Sequence, residues 1–229
     1  MKALPVVAKL RAFIFDLDGT LVDSNDFHVD AWDRAFRHFG KQFSRDQLRA
    51  QIGKGSDQYL PAFLSPDEIE RLGKEIDDYR SKIFKEDYLP QVRPFPRVRE
   101  LFHRIHDDGR CIVLATSGKK SDAEHFIELL GIDRFIVGYT SADDTQQSKP
   151  APDIFSAALK KLGDIDAGEA LGVGDTPFDI EAAKKIGLKT IALLCGAMKE
   201  NILRQAGAAA IYRDPADLLA NYHKLSCLI

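Results

Sequence analysis

A largely parallel α/β sheet interrupted by an all-helical insert is the fold class that this 229-residue sequence predicts, and three observations predict it. Short apolar runs rich in β-branched and aromatic residues recur at 12–16, 111–116, 135–138, 170–175 and 190–194. They lack the polar alternation of half-exposed strands and read as strands buried on both faces. Amphipathic stretches alternate with the later runs, which implies right-handed crossovers onto a parallel sheet. Between the first run and the second lies a long segment with helical periodicity throughout.

The elements follow in chain order. Ala12 to Phe15 form an apolar first strand ending in Asp16. In the insert, Phe27, Ala31, Trp32, Ala35, Phe36 and Phe39 share one helical face, closed by Gly40. Ser44 with Gln47 is a capping-box pair. Ser65-Pro66-Asp67-Glu68 is a stronger helix start, and Ile69, Leu72, Ile76, Tyr79 and Ile83 then step by three or four. Pro90, Pro94 and Pro96 mark the return linker. We therefore expect a helical cap over 23–89 and a core made of 1–22 and 90–229. Several helices with their own apolar faces need something to pack on, although a bulky crossover on one shared core is the alternative. In the core, Val98, Leu101, Phe102 and Ile105 make one stripe before Gly109. Phe126, Ile127, Leu129 and Leu130 make a second before Gly131, and Ile154, Phe155, Ala158, Leu159 and Leu162 a third.

The composition is that of an ordinary globular protein: 45% apolar, 29% charged, formal charge −3. Disorder is excluded as the dominant state. The near balance of charge offers no electrostatic reason to expect nucleic acid or a membrane as partner. Cys111, Cys195 and Cys227 form neither a metal spacing nor a disulfide framework. The first two lie in apolar runs and are expected to be buried, the third to be a free thiol. No apolar stretch is long enough to span a bilayer. Residues 1–11, broken by Pro5, Lys9 and Arg11, make a poor export signal. A reducing, cytoplasmic setting and a monomer or homodimer are the expectations.

The chemistry gathers at strand ends, where open parallel sheets bind ligands. Asp16 and Asp18 flank Leu17 at the end of the first strand; in extended chain they would point to one side, and Gly19-Thr20 permits a turn. Alone, this is equally an Asx-rich turn. Asp175 ends a later buried run and Asp179 follows one helical turn on. Four carboxylates brought together would repel prohibitively without a cation, and a hard divalent ion, most simply Mg²⁺, fits an all-oxygen set. Helix capping by Asp175 is the plain alternative. Thr116-Ser117-Gly118 closes another strand with hydroxyls and backbone N–H groups suited to a phosphate, or to an ordinary cap. Lys149 precedes the helix near Asp153, where it either neutralises the acids or is solvated. Neither a P-loop nor a dinucleotide fingerprint is complete, and His103 and His106 belong at the edge of an apolar helix.

Asp16-Leu17-Asp18-Gly19-Thr20, Thr116, Lys149-Pro150 and Gly174-Asp175 through Asp179 together resemble the four signatures of the haloacid dehalogenase superfamily, across nearly the whole chain. The insert resembles the cap of the phosphoglycolate phosphatase and β-phosphoglucomutase branch. The resemblance implies a Rossmann-like core, Mg²⁺ and an aspartyl-phosphate intermediate formed from a small phosphorylated metabolite. It implies Asp16 as nucleophile and Asp18 as general acid and base. Gly19, Thr116, Ser117 and Gly118 would lie around the phosphate, and Lys149 would pair with it and with Asp16. Mg²⁺ would sit with Asp16, the Asp18 carbonyl and Asp175, with Asp179 supporting the metal shell or Lys149. An aspartate at position 18 argues for phosphate rather than carbon–halogen chemistry. Lys54, in Gly53-Lys54-Gly55-Ser56, matches the family's specificity loop and either reaches an anionic part of the substrate or is solvated. His28 matches a histidine able to approach the general acid, or is a surface residue. The mutases of this branch carry an arginine where Ser56 stands, so hydrolysis leads, with phosphomutation and a catalytically idle scaffold as alternatives.

Overall fold

The protein is described by a computed structural model that covers residues 9–229, so most of the stretch read above as a poor export signal lies outside the described residues. Six parallel strands form the sheet in the order β5-β4-β1-β6-β7-β8. In chain order these are β1 (Ala12–Phe15), β4 (Cys111–Ala115), β5 (Gly138–Thr140), β6 (Ala170–Gly174), β7 (Lys189–Leu193) and β8 (Ala210–Tyr212). Two short strands, β2 (Val22–Asp23) and β3 (Arg93–Pro94), pair antiparallel. The architecture is the expected Rossmann-like α/β fold.

β1 is central and pairs with both β4 and β6. Its alternation decides which layer goes where. Phe13 and Phe15 point to one face, among residues of α6 (Val98–Asp107) and α7 (Lys120–Leu130). Ala12 and Ile14 point to the other, against α8 (Asp153–Lys161) and α9 (Pro177–Lys184). The second face is built from Ala12, Ala115 and Ala170, small side chains that let two helices approach the sheet. α10 (Glu200–Ala206) and α11 (Pro215–Ala220) complete the layers.

The insert contains α1 (Asn25–His38), α2 (Arg45–Arg49), α3 (Ser56–Tyr59), α4 (Pro66–Glu68) and α5 (Lys74–Ile83). Both expected capping boxes form, at Ser44–Gln47 and Ser65–Glu68. From Pro66 the helical turns run on to Tyr88, passing through two π-helical stretches. Trp32, Ala35, Phe36, Leu48, Tyr59 and Ile76 make an apolar cluster of their own.

Several expectations are corrected. The strand expected at 135–138 begins only at Gly138, because 133–135 tightens into a 3₁₀ turn that buries Phe135 and leaves Val137 55% exposed. The edge strand β8 had not been expected; it has only three residues, all half-buried, in the alanine-rich run 208–212. The apolar face of α1 divides, with Trp32, Ala35 and Phe36 in the cluster of the insert and Phe27 and Ala31 against the core. The proline-marked return linker is held as a strand by β2. Cys111 and Cys195 are half-buried rather than buried, and Cys227 is an exposed thiol. No helix among the described residues is long and apolar enough to cross a membrane.

Candidate active site

β1, β4 and β6 end side by side, and that juxtaposition brings Asp16, Thr116 and Asp175 to one edge of the sheet. The Asp16 N–H still continues the ladder, donating to the Val173 carbonyl at 2.9 Å. Asp16, Asp175 and Asp179 are all buried, and each offers a carboxylate oxygen within 4.8 Å of the others. The Thr20 hydroxyl lies 3.1 Å from both Asp16 Oδ2 and Asp175 Oδ1, placed to donate to one of them. Lys149 is only 1% exposed. Its Nζ is hydrogen-bonded to Asp16 and ion-paired with Asp179 Oδ1 at 2.7 Å. The loop lysine of the sequence is therefore a buried counter-charge.

Asp179 is occupied on both sides. Its Oδ2 accepts from the Thr176 amide at 3.0 Å and hydroxyl at 2.6 Å, so the capping box of α9 belongs to Thr176 and Asp179, not to Asp175. Its other oxygen faces Lys149.

Three carboxylates against one ammonium leave an excess of two negative charges in a dry site. Burial pushes the Asp16 carboxyl up to about 7, with Lys149 pulling against it and Asp179 adding to the rise. Burial, with Asp16 and Asp179 beside it, holds Asp175 well above the ordinary carboxylate range. Without a cation the cluster retains protons; the all-oxygen donor set and the uncompensated charge fit Mg²⁺. Burial disfavours charge on Lys149, yet Asp16 and Asp179 outweigh it and hold its ammonium firmly protonated.

Asp16 and Asp175 bind protons more tightly folded than unfolded, so their stabilisation is present below about pH 4 and is lost as the pH rises, for Asp16 through about 7. The metal-free protein is expected to melt at a lower temperature near pH 8 than near pH 5.5, and Mg²⁺ to raise the melting temperature more at the higher pH. Calorimetry in EDTA and in Mg²⁺ checks this; a Mg²⁺ effect that is absent or independent of pH would contradict it.

Asp18 corrects the expectation of four converging carboxylates. Beyond β1 the chain turns and the alternation of an extended strand no longer applies, so the Asp18 side chain leaves the acid cluster. It accepts from the Ser24 hydroxyl at 2.6 Å and lies 2.9 Å from His28 Nε2. Burial opposes its charge, but His28 and Ser24 prevail and hold the carboxyl below its ordinary range. Ser24 stands at the N-cap of α1 yet makes no cap hydrogen bond, because its hydroxyl serves Asp18.

A cleft opens between sheet and insert. Asp16, Asp18, Thr116, Ser117 and Gly118 line it from the core, and His28, Trp32, Ile52, Gly53, Lys54, Gly55 and Arg80 from the insert. His28 stacks on Phe84, ring centroids 4.0 Å apart, so it is not a surface residue. Lys54 bonds Gln51 at 2.6 Å and lies over the Phe178 ring at 4.6 Å; burial lowers its ammonium from the usual lysine value. Gly19 lies apart from the cleft lining, its N–H donated to the Val22 carbonyl at 2.9 Å. The Gly118 N–H, expected to be free, is donated to Thr116 Oγ1 at 2.9 Å, and Ser117 Oγ accepts from the Lys149 amide at 3.4 Å.

The loop over the cleft is pressed against the core. A Cβ on Gly53, whose φ is +104°, would lie 2.8 Å from Thr176, and one on Gly55 2.7 Å from Ser148, so only glycine fits either contact. The Gly55 amide donates to Ser148 Oγ at 2.9 Å, and Asp57 accepts from the Ser148 amide at 3.0 Å and hydroxyl at 2.5 Å.

Sequence reading missed Asn25, whose Nδ2 donates to Asp175 Oδ2 at 2.8 Å and to the Gly196 carbonyl at 3.0 Å. It also missed Ser24, Asp57, Ser148, Trp32 and Arg80. Ser24-Asn25 directly follow the first acidic motif and could have been suspected; the others carry no local signal.

Comparison with known proteins finds relatives along nearly the whole chain. The family model described as haloacid dehalogenase-like hydrolase matches residues 13–193. IndB of Dickeya dadantii, named a probable phosphatase, is 31% identical over 216 residues, 93% of each chain. A Thermotoga maritima protein named phosphorylated carbohydrates phosphatase is 25% identical over 92% of this chain and 97% of its own. A solved hydrolase from Pseudomonas syringae is 30% identical with a TM-score of 0.83, covering 94% of this chain and 99% of that one.

Proposed function

The chain belongs to the haloacid dehalogenase-like hydrolases, and from that premise we propose that it is a Mg²⁺-dependent phosphatase releasing phosphate from a small phosphorylated metabolite. The observation that carries the proposal is the buried set of Asp16, Asp175 and Asp179 with Lys149, beside a cleft that also receives Asp18 and Thr116. The relatives named as phosphatases support hydrolysis over phosphomutation.

An Asp16 oxygen attacks phosphorus and the ester P–O bond breaks. The leaving oxygen takes a proton from Asp18. Asp18 then takes a proton from water, whose oxygen attacks phosphorus; the bond to Asp16 breaks and inorganic phosphate leaves. His28 and Ser24 hold Asp18 as the carboxylate that the second step needs. A bound phosphate dianion raises that carboxyl, so that Asp18 can carry the proton the first step needs. Lys149 orients Asp16 and faces the developing charge, while Thr116 Oγ donates to a phosphoryl oxygen. Asp16, Asp175 and the Asp18 carbonyl would hold Mg²⁺, with Asp179 behind them, and the ion once bound would neutralise charge on the phosphoryl group.

The helical insert over 23–89 acts as a cap on a core of 1–22 and 90–229. Its own apolar cluster supports this, as does the β2–β3 pair, which brings its two ends together. Closure excludes water through the contact of Gly55 and Asp57 with Ser148. At about 1 kcal/mol per net hydrogen bond, Ser148→Ala is expected to raise KM by about 5-fold or more, read from steady-state kinetics; an unchanged KM would show that these bonds do not govern closure.

The direct test is release of free phosphate from a panel of phosphorylated metabolites, scored against isomerised product. Activity should fall by about 10²-fold or more in EDTA and return with Mg²⁺. Isomerised product without free phosphate would mark a mutase, and no turnover of any ester would mark a scaffold.

A further inference from the structure

Resting on the phosphatase reading above, we propose that the leaving group of the substrate carries a second anionic group, bound on the cap side of the cleft by Arg80 with Lys54. Arg80 stands on α5 with its side chain 13% exposed, and it lines the cleft. Its guanidinium lies over the Trp32 ring, 4.8 Å from the centroid. Nη2 donates to Asp77 Oδ1 at 3.0 Å, but Nε is buried with no hydrogen-bond partner. Nor does Asp77 neutralise Arg80 alone, because Lys119 Nζ is 3.7 Å from its other oxygen. One carboxylate is thus shared by two cations.

A buried charged donor without an acceptor is costly, and few persist without a reason. Here the unpaired donor belongs to a residue lining a cleft whose cap-side residues include two cations and no carboxylate. The facing acids of the core are the metal and phosphoryl set, so the phosphoryl end of a substrate is already assigned to that side. What remains for Arg80 and Lys54 is the other end. A neutral leaving group would leave the Arg80 Nε–H buried and unpaired. A carboxylate or a second phosphate supplies oxygens that the planar fork of a guanidinium matches in pairs, and stacking on Trp32 holds that plane in place.

The test compares three matched three-carbon esters in Mg²⁺: glycerol phosphate, phosphoglycerate and propanediol bisphosphate. The wild-type protein is expected to show kcat/KM about tenfold or more higher for at least one anionic ester than for glycerol phosphate, and which one distinguishes carboxylate from phosphate. Arg80→Met and Arg80→Lys are each expected to lower that ratio by about tenfold, and Lys54→Met to lower it less. A merely structural role of Arg80 lowers kcat/KM for all three esters alike and leaves the ratio unchanged, which overturns the proposal while the phosphatase reading stands. Absence of phosphate release from all three by the wild-type protein overturns the phosphatase reading instead, and this proposal with it.

Discussion

Asp16→Asn is expected to reduce kcat by roughly 10⁴-fold or more while raising the melting temperature of the metal-free protein. The two effects have one cause. Asparagine keeps the shape of the side chain, so the packing at the end of β1 is retained, but an amide cannot serve as the attacking oxygen. The same change removes one of three mutually repelling carboxylates from a buried site, where burial already pushes Asp16 up to about 7. Relief of that repulsion is a gain wherever the group would otherwise be ionised, so the increase should be larger near pH 8 than near pH 5.5. Mg²⁺ should stabilise the variant less than the wild-type protein. Melting curves with and without Mg²⁺, alongside turnover of a common phosphate ester, measure all three. Wild-type turnover by Asp16→Asn would remove Asp16 from the chemistry.

Lys149→Met is expected to produce the largest loss of stability. Lys149 is the counter-charge to Asp16 and Asp179 in a site with almost no access to water. Removing one partner of a buried ion pair costs about 3–5 kcal/mol, because the orphaned carboxylates stay desolvated. For a protein of this length that corresponds to a fall of roughly 6–20 °C in melting temperature. The loss should be strongly non-additive: in the double variant with Asp16→Asn much of it returns, because fewer charges remain to be compensated. Mg²⁺ should also restore part of it. Urea unfolding of the metal-free single and double variants gives the coupling. A single variant within about 2 °C of the wild-type protein would mean that the carboxylates find their compensation elsewhere.

The sequence alone determined the features that depend on near neighbours. Buried strands at 12–16, 111–116 and 170–175 were legible because strands covered on both faces admit only apolar side chains. The helix starts at Ser44 and Ser65 were legible because a capping box closes within four residues. Asp16, Thr116 and Asp175 could be singled out because each directly follows a buried strand, where a parallel sheet leaves space, and Lys149 through its place before α8 and the resemblance of Lys149-Pro150 to a family signature. Tertiary structure decided the direction of each group and its company. It turned the Asp18 carboxylate away from the acids toward Ser24 and His28, and closed the Gly118 amide onto Thr116. It buried Lys149 between two carboxylates and brought Arg80 and Trp32 to a cleft opposite residues far away in the chain. Periodicity records whether a side chain is buried, not against what. A cleft between two layers is made of pairs separated by tens of residues, so its charge balance exists only once the layers have packed.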